Sequence, residues 1–399
     1  MPGGLPRGHR ASKVDSRADS ASHSRMASTT ATERDARHLR RAIELADSAR
    51  GHTSPNPLVG AVIVRHGTVL GEGLHAGAGE PHAEAMALAA CTDDPSGATM
   101  YVSLEPCCHQ GRTPPCTEAI LKAGIGRVVV ASDDPTDKAS GRGLGILRDE
   151  GVEVAMVDGD VSHEARLLNQ PFRKHARTGR PLLILKSAMS LDGKVATPSG
   201  DSQWISGEAS RARVHRWRSE CDAVAVGIGT ARADDPLLTS RVEGARRQPV
   251  RVVFDSEVAL STDSRLVRSA AEVPVLLVCS RAAKRTAIEA LRNAGVDVIV
   301  ASGANEAARA AEALDQIGAR GIQSILLEGG PHLAGVFLDA AQIDEARIFI
   351  APILIGGRDS RGAVEAQGAQ RVADAVRALG TTVESIDDDV LITARLREW

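Results

Sequence analysis

The sequence predicts two successive α/β domains behind a polar tail. Three observations carry this. The 399 residues exceed what one domain, typically about 100–200 residues, holds. Apolar runs of strand length alternate with helical stretches through both halves. A basic, proline-bounded stretch at 171–181, PFRKHARTGRP, separates the two series.

In the first half, residues 34–50 place Leu39, Ile43 and Leu45/Ala46 at helical spacing, and Gly51 is positioned to end that amphipathic helix. Residues 59–64 and 69–73 are short apolar strands about the turn-forming His66-Gly67. Residues 82–90 are helical in composition, 100–104 read as a strand, 116–123 as a helix and 127–132 as a strand, so this unit should be an α/β sandwich around one sheet. The second half offers strands at 182–186, 223–226, 250–254, 275–279, 296–300 and 324–327, with helices at 207–220, 285–294 and 306–317 between them. The expected division is a tail at 1–32, a first domain at 33–170, a linker at 171–181 and a second domain at 182–399.

A formal net charge of -3 supplies no general attraction to nucleic acid or an anionic membrane, so an anionic ligand must be met by local arginines. No run of about 20 apolar residues spans a bilayer. Six cysteines are too few and too uneven for a disulfide framework, and Cys107, Cys108 and Cys116 crowd into one segment, which fits metal binding in a reducing cytoplasm. The Ser-, Arg- and Gly-rich tail has no apolar h-region and reads as disordered; an organelle transit peptide is opposed by Asp15 and Asp19, and Met26 is an alternative start.

Pro81-His82-Ala83-Glu84 is followed by Glu105-Pro106-Cys107 and then by Pro114-Pro115-Cys116. One His and two Cys are borderline-soft ligands, and three protein ligands leave the fourth tetrahedral position of a zinc ion open to water. Each ligand lies beside a proline where a helix should begin, and the positive end of the helix dipole there favours thiolate. A structural zinc would need a fourth ligand, for which Cys108 and His109 are the only nearby candidates. His-x-Glu followed by Pro-Cys is the signature of the zinc nucleobase deaminases, in which the Glu, here Glu84, shuttles protons without binding metal.

Ordinary deaminases have Cys-x-x-Cys, whereas here eight residues separate Cys107 from Cys116. With that expanded loop, the stretch SLEPCCHQGRTPPC resembles the deaminase half of the bifunctional riboflavin-biosynthesis deaminase/reductase family, as do Pro55-Asn56-Pro57-Leu58-Val59-Gly60 and His75. The resemblance implies a cytidine-deaminase-like α/β/α domain with zinc on His82, Cys107 and Cys116, and with Asn56 and His75 lining the substrate pocket. Asp133-Asp134-Pro135-Thr136-Asp137 departs from the family pattern, with Thr136 where Asn is usual.

No Gly-x-Gly-x-x-Gly stands in a strand–turn–helix setting, which argues against a Rossmann domain. The second half instead resembles the reductase domain of the same family, of dihydrofolate-reductase-like α/β fold. The matching blocks are KSAMSLDGK from Lys186, SQWIS from Ser202, GIGT from Gly227, ADDPLLTSR from Ala233 and EGGPHL from Glu328. The last follows a strand and opens a helix, where glycines let backbone N–H groups approach a phosphate. By resemblance NADPH would meet Gly330, Pro331, His332, Leu333, Ala334, Gly335 and Val336 together with Ala188, Trp204, Thr230 and Asp234. Ser202, Arg218, Leu238, Arg241 and Glu328 would line the substrate site, with Arg218 and Arg241 suited to a ribose phosphate.

The resemblance therefore implies one zinc and one NADPH site per chain, phosphorylated pyrimidine substrates, a cytoplasmic location and a homo-oligomer joined through the reductase domain. A deaminase of free nucleosides or tRNA would leave the second half and the expanded loop unexplained. A regulatory paralogue that has lost one activity is opposed, for the first domain, by the intact His82, Glu84, Cys107 and Cys116.

Overall fold

The computed structural model describes residues 19–110 and 114–399, with side chains from residue 33 onward. In the first half, five strands, β1 (Gly60–Arg65), β2 (Thr68–Leu74), β3 (Thr99–Val102), β4 (Arg127–Val130) and β5 (Glu153–Met156), form a sheet of order β2-β1-β3-β4-β5. β1 runs antiparallel to both β2 and β3, while β3, β4 and β5 are mutually parallel. The helices of this half are α1 (Asp19–Asp47), α2 (Ala83–Ala89), α3 (Cys116–Lys122), α4 (Arg142–Asp149), α5 (Asp160–Leu168) and α6 (Gln170–Thr178).

β1 is an unbroken apolar run because both its faces are covered. Ala61 and Ile63 pack with Ala83, Ala87, Ile120 and Leu147 of α2, α3 and α4. Val62 and Val64, alternating with them, pack with Leu39 and Ala42 of α1 and with Val161 and Ala165 of α5. The helices sit close. A Cβ on Gly60 would lie 2.0 Å from the Ala42 carbonyl oxygen, and one on Gly73 would lie 2.3 Å from the Ala87 nitrogen.

In the second half, nine strands pair in the order β10-β9-β8-β7-β11-β6-β12-β14-β13: β6 (Leu182–Ser190), β7 (Ala223–Gly227), β8 (Val250–Phe254), β9 (Val275–Ser280), β10 (Asp297–Ala301), β11 (Ser324–Leu327), β12 (Glu345–Ala351), β13 (Gly380–Ile386) and β14 (Asp389–Arg395). The pairings from β10 through β12 are parallel, and only β14 and β13 run antiparallel to their neighbours. The helices are α7 (Glu208–Glu220), α8 (Ile228–Asp234), α9 (Arg265–Arg268), α10 (Arg285–Asn293), α11 (Glu306–Gly318) and α12 (Pro331–Asp339). Apolar residues of α7, α9 and α10 cover one face of the sheet, and those of α11 and α12 the other.

Two boundaries differ from expectation. Helix α1 begins at Asp19 rather than at residue 34, so it runs back into the stretch assigned to the tail; residues 1–18 of that tail lie outside the described residues, as do 111–113 of the expanded cysteine loop. The expected linker is helix α6, with Pro171 in its first turn, where the missing N–H costs nothing, and Gly179 ending it at φ 71°. It is a helix because it has partners on both sides. Lys174 Nζ lies 2.5 Å from Asp344 Oδ2, and Asp344 also accepts from the Leu183 amide and the Trp399 indole. Arg173 donates to the Trp399 carbonyl oxygen at 2.7 Å, to the Asp133 carbonyl at 2.8 Å and to Ser132 Oγ at 3.2 Å. Both cations are buried, which the basic composition of the stretch does not reveal.

Removing one partner of such a pair strands the other charge. Asp344→Ala should destabilise the protein by about 3–5 kcal/mol in urea unfolding, whereas a loss of under about 1 kcal/mol, as for an exposed pair, would mean that Lys174 is solvated.

Candidate active sites

In the first half, two helices and one loop converge. His82 is the extended residue just before α2, Cys116 is the first residue of α3, and Cys107 lies in the loop after β3. Cys107 Sγ accepts from the Cys116 amide at 3.4 Å, so an N–H at the start of α3 faces the sulfur. His82 Nδ1 stands 3.2 Å from Cys116 Sγ and 3.4 Å from Cys107 Sγ, and the ligand atoms of the trio lie within 4.8 Å of one another. A tetrahedral zinc with ordinary Zn–N and Zn–S bonds sets nitrogen and sulfur about 3.6 Å apart, so the donor set and its spacing fit that ion. The close sulfurs bias each other: the hydrogen bond from Cys116 pulls Cys107 down to about 4, and the same pairing pushes Cys116 up. Cys108 takes no part, its thiol turning to the Lys138 carbonyl 3.8 Å away.

Glu84 is buried one residue into the helix that His82 precedes, and that burial pushes its carboxyl up to about 7. A carboxyl balanced there both accepts and releases a proton near neutrality. His75 Nδ1 is 3.0 Å from the Pro81 carbonyl, which can only accept, so the proton is on Nδ1. Nε2 is then an acceptor and receives the Asn56 amide N–H at 3.0 Å. Burial holds His75 below its ordinary value, in the neutral form this chain of bonds requires. The His75 and His82 rings meet edge to face at 5.4 Å, so Asn56 and His75 border the metal trio.

Glu105, two residues before Cys107, is buried; its Oε2 accepts from the Gly141 amide at 3.1 Å, which ties the loop beyond β4 to the ligand loop. Within the unusual 133–137 segment, the Thr136 amide donates to Asp134 Oδ1 at 2.8 Å.

In the second half a cavity of about 1260 Å³ opens at the C-terminal ends of the parallel strands. Ala188, Ser202, Trp204, Arg218, Thr230, Asp234, Leu238, Arg241 and Glu328, far apart in sequence and singled out by resemblance, all line it. Arg218 grips Glu328 through two bonds of 2.6 and 2.9 Å and donates to the Thr239 carbonyl at 3.2 Å. Burial alone would push the Glu328 carboxyl up, but Arg218 and then Lys186 reverse this and hold it below its ordinary value. Leu238 adopts a left-handed φ of 55°, a strained conformation in the loop that carries the Thr239 carbonyl. Trp204 is 70% exposed, with the Arg211 guanidinium 4.7 Å from its ring centre, so it is a surface platform rather than a core aromatic.

An adjoining cavity of about 490 Å³ is lined by Gly330, Pro331, His332, Leu333 and Val336 at the start of α12 and by Gly227 to Thr230. Glycine at position 330 leaves the backbone bare at the helix start, where an added Cβ would meet only Thr230 Oγ1, 3.5 Å away. Ala334 and Gly335 lie elsewhere. Ala334 belongs to the core under the sheet, and a Cβ on Gly335 would sit 1.9 Å from the Glu365 carbonyl oxygen, so that glycine allows α12 to pack closely there. Sequence reasoning passed over Lys186 and His215, which line the larger cavity. Lys186 begins a quoted block and could have been found; His215, whose buried Nδ1 has no partner among the described residues, sits in a helix with no such signal.

Two family models match the chain, the cytidine and deoxycytidylate deaminase zinc-binding region over residues 32–132 and the RibD C-terminal domain over 181–392. Curated relatives include the riboflavin biosynthesis protein RibD of Actinobacillus pleuropneumoniae, 41% identical over 89% of this chain and 93% of the relative, and that of Escherichia coli, 37% identical over 89% and 97%. Among solved structures, Acinetobacter baumannii RibD superposes with a TM-score of 0.80 at 35% identity, covering 92% of this chain and 99% of the other. A Thermotoga maritima diaminohydroxyphosphoribosylaminopyrimidine deaminase/5-amino-6-(5-phosphoribosylamino)uracil reductase gives 0.79 at 33% identity over 92% and 99%.

The purified protein should carry about one zinc per chain. Alanine at His82, Cys107 or Cys116 should abolish its retention by metal analysis, and Cys108→Ala should keep it. Zinc loss in the Cys108 variant would show that the wrong thiolate has been chosen.

Proposed function

The chain belongs to the RibD family of bifunctional riboflavin-biosynthesis enzymes, pyrimidine deaminase and reductase in one polypeptide, and from that premise we propose how its residues divide the work. The deaminase half acts on 2,5-diamino-6-(ribosylamino)-4(3H)-pyrimidinone 5'-phosphate. The reductase half converts the product, 5-amino-6-(5-phosphoribosylamino)uracil, to its ribitylamino form. The observation that carries the first step is the trio of His82, Cys107 and Cys116 with Glu84 buried beside it.

Zinc held by that trio supplies Lewis acidity and a water acidic enough to lose a proton near neutrality. Glu84 takes one proton from that water and gives it to the ring nitrogen as the oxygen adds to the amino-bearing carbon, then carries the proton of the added hydroxyl to the amino group, so that the C–N bond breaks, ammonia leaves and a carbonyl replaces the amine. Asn56 and His75 orient the pyrimidine: with one N–H bound to His75, the Asn56 amide keeps its second N–H and its carbonyl oxygen for the base.

For the second step, NADPH would supply a hydride to C1′ of the ribosyl group, so that the bond from C1′ to the ring oxygen breaks, C1′ becomes the CH2 of the ribitylamine and the released oxygen takes a proton as a hydroxyl. Ala188, Trp204, Thr230, Asp234 and the start of α12 hold the dinucleotide, and Ser202, Leu238 and the Arg218–Glu328 pair hold the substrate, with Arg241 placed for its phosphate. Support comes from one continuous surface: Gly229, Thr230, Gly330 and Pro331 line both cavities, so cofactor and substrate can meet.

Among the described residues no helix is long and apolar enough to cross a membrane. Together with the thiol-based metal site this supports a cytoplasmic enzyme. A homo-oligomer is supported by the edge of the second sheet, where Val383 on β13 and Val372, Val376 and Leu379 before it are 62–85% exposed. Light scattering should give at least twice the chain mass, and Val383→Lys should lower it; a monomer in the unmodified protein would remove this reading.

Glu84→Gln keeps size and hydrogen-bonding reach but carries no proton. Ammonia release should fall by at least about 10²–10⁴-fold with zinc retained, while reduction of separately supplied deaminated substrate is unchanged. Near-normal deamination would refute the shuttle, and zinc loss would show that Glu84 is a ligand.

A further inference from the structure

The smaller cavity of the reductase half is more than the start of α12. Its walls take in the C-terminal ends of four neighbouring parallel strands: Gly227 on β7, Phe254 on β8, Val278 and Cys279 on β9 and Ala301 on β10. With about 4.8 Å between strands, this trench extends about 14 Å along the sheet edge. Resting on the reading that the reductase half takes a nicotinamide dinucleotide, the layout follows from which cavity holds what. The nicotinamide must lie by the substrate in the larger cavity. The diphosphate then falls at the junction, and the adenosine half extends down the trench.

Three guanidinium groups line this trench, those of Arg232, Arg309 and Arg361. Arg361 also lines the larger cavity, so it belongs to the junction. Arg232 and Arg361 are both exposed, where water already solvates the charge, and Arg361 differs from Arg232 by its place at the junction. Arg309, in the first turn and a half of α11, is half-buried. Its Nη1 approaches the Gly303 carbonyl at 3.5 Å, and among the described residues no carboxylate is paired with it. Its neighbour Glu306 lies instead 3.2 Å from His332 Nε2. A half-buried guanidinium that lines a cavity and has no anionic partner is matched by a ligand that brings one.

We propose that Arg309 binds the 2′-phosphate of the dinucleotide and is the residue that makes this reductase select NADPH over NADH. The 2′-phosphate is the one group by which the two cofactors differ, and a guanidinium meets it with two parallel charge-assisted bonds that a hydroxyl cannot reciprocate. The Arg361 guanidinium, at the junction, serves the diphosphate common to both.

Binding of NADPH and of NADH to the full-length protein, followed by nucleotide fluorescence without substrate, tests this directly. The unmodified protein should bind NADPH more tightly than NADH. Arg309→Ala should weaken NADPH at least about tenfold, as expected for losing a charge-assisted pair, and leave NADH within about twofold, with Arg309→Lys recovering part of the loss and Arg232→Ala keeping the preference. Zinc content and ammonia release should be unchanged in every variant, which reports on folding. Equal weakening of both nucleotides by Arg309→Ala would put this guanidinium on the diphosphate and overturn the proposal. Unchanged NADPH affinity, or loss of preference in Arg232→Ala instead, would overturn it as well. Failure of the unmodified protein to bind either nucleotide would overturn the cofactor reading itself, and the proposal with it.

Discussion

A three-ligand metal centre demands that atoms from three distant segments come within a few ångströms, and in this chain the demand is met by how closely α2 lies on the first sheet. Gly71 and Gly73 on β2 face Ala83 and Ala87, and a Cβ at either glycine would come within 2.4 Å of the α2 backbone. With nothing between them, the helix start carrying His82 and Glu84 is pressed against the sheet end from which the Cys107 loop emerges. The same closeness buries Glu84. Removing that carboxyl from water is what lifts its proton affinity into the range where it can exchange with substrate. Packing distance, metal geometry and acid–base chemistry are therefore one arrangement.

The two halves are joined by more than a tether. Helix α6 sends Lys174 into the second half and Arg173 to the backbone just beyond β4. Beyond it, Gln323 Nε2 donates to the Pro55 carbonyl at 2.8 Å, beside Asn56, and Arg247 pairs with Asp222 while donating to Gly51. Buried ion pairs of this kind add little net stability against apolar replacements, but they fix geometry because any other arrangement leaves a charge unpaired.

What was legible in the sequence follows from the range of the forces involved. The zinc trio and Glu84 are legible as a set because metal chemistry restricts residue type and spacing; His82, Cys107 and Cys116 do converge, and Glu84 is buried two residues after His82. The central parallel strands were legible because burial on both faces makes each a continuous apolar run. β13 was not, since most of its residues are exposed and its pairing with β14 comes from long-range contact. That the linker stretch is helix α6 is not legible for the same reason: nothing local says that Lys174 will meet Asp344, 170 residues later. The lining of the reductase cavity came from resemblance, which named Gly335 with its neighbours; that the Glu365 backbone lies against this glycine is a long-range contact no local pattern shows.

The central claim is that one chain performs two successive reactions on a phosphorylated pyrimidine, the first needing no nucleotide. The most direct measurement supplies the diaminopyrimidinone ribosyl phosphate to the full-length protein with and without NADPH and identifies products by mass spectrometry. The account predicts the deaminated ribosylamino compound and ammonia alone without NADPH, and the ribitylamino compound, heavier by two hydrogens, with it. An unchanged substrate without NADPH, or reduction preceding deamination when it is present, would contradict it.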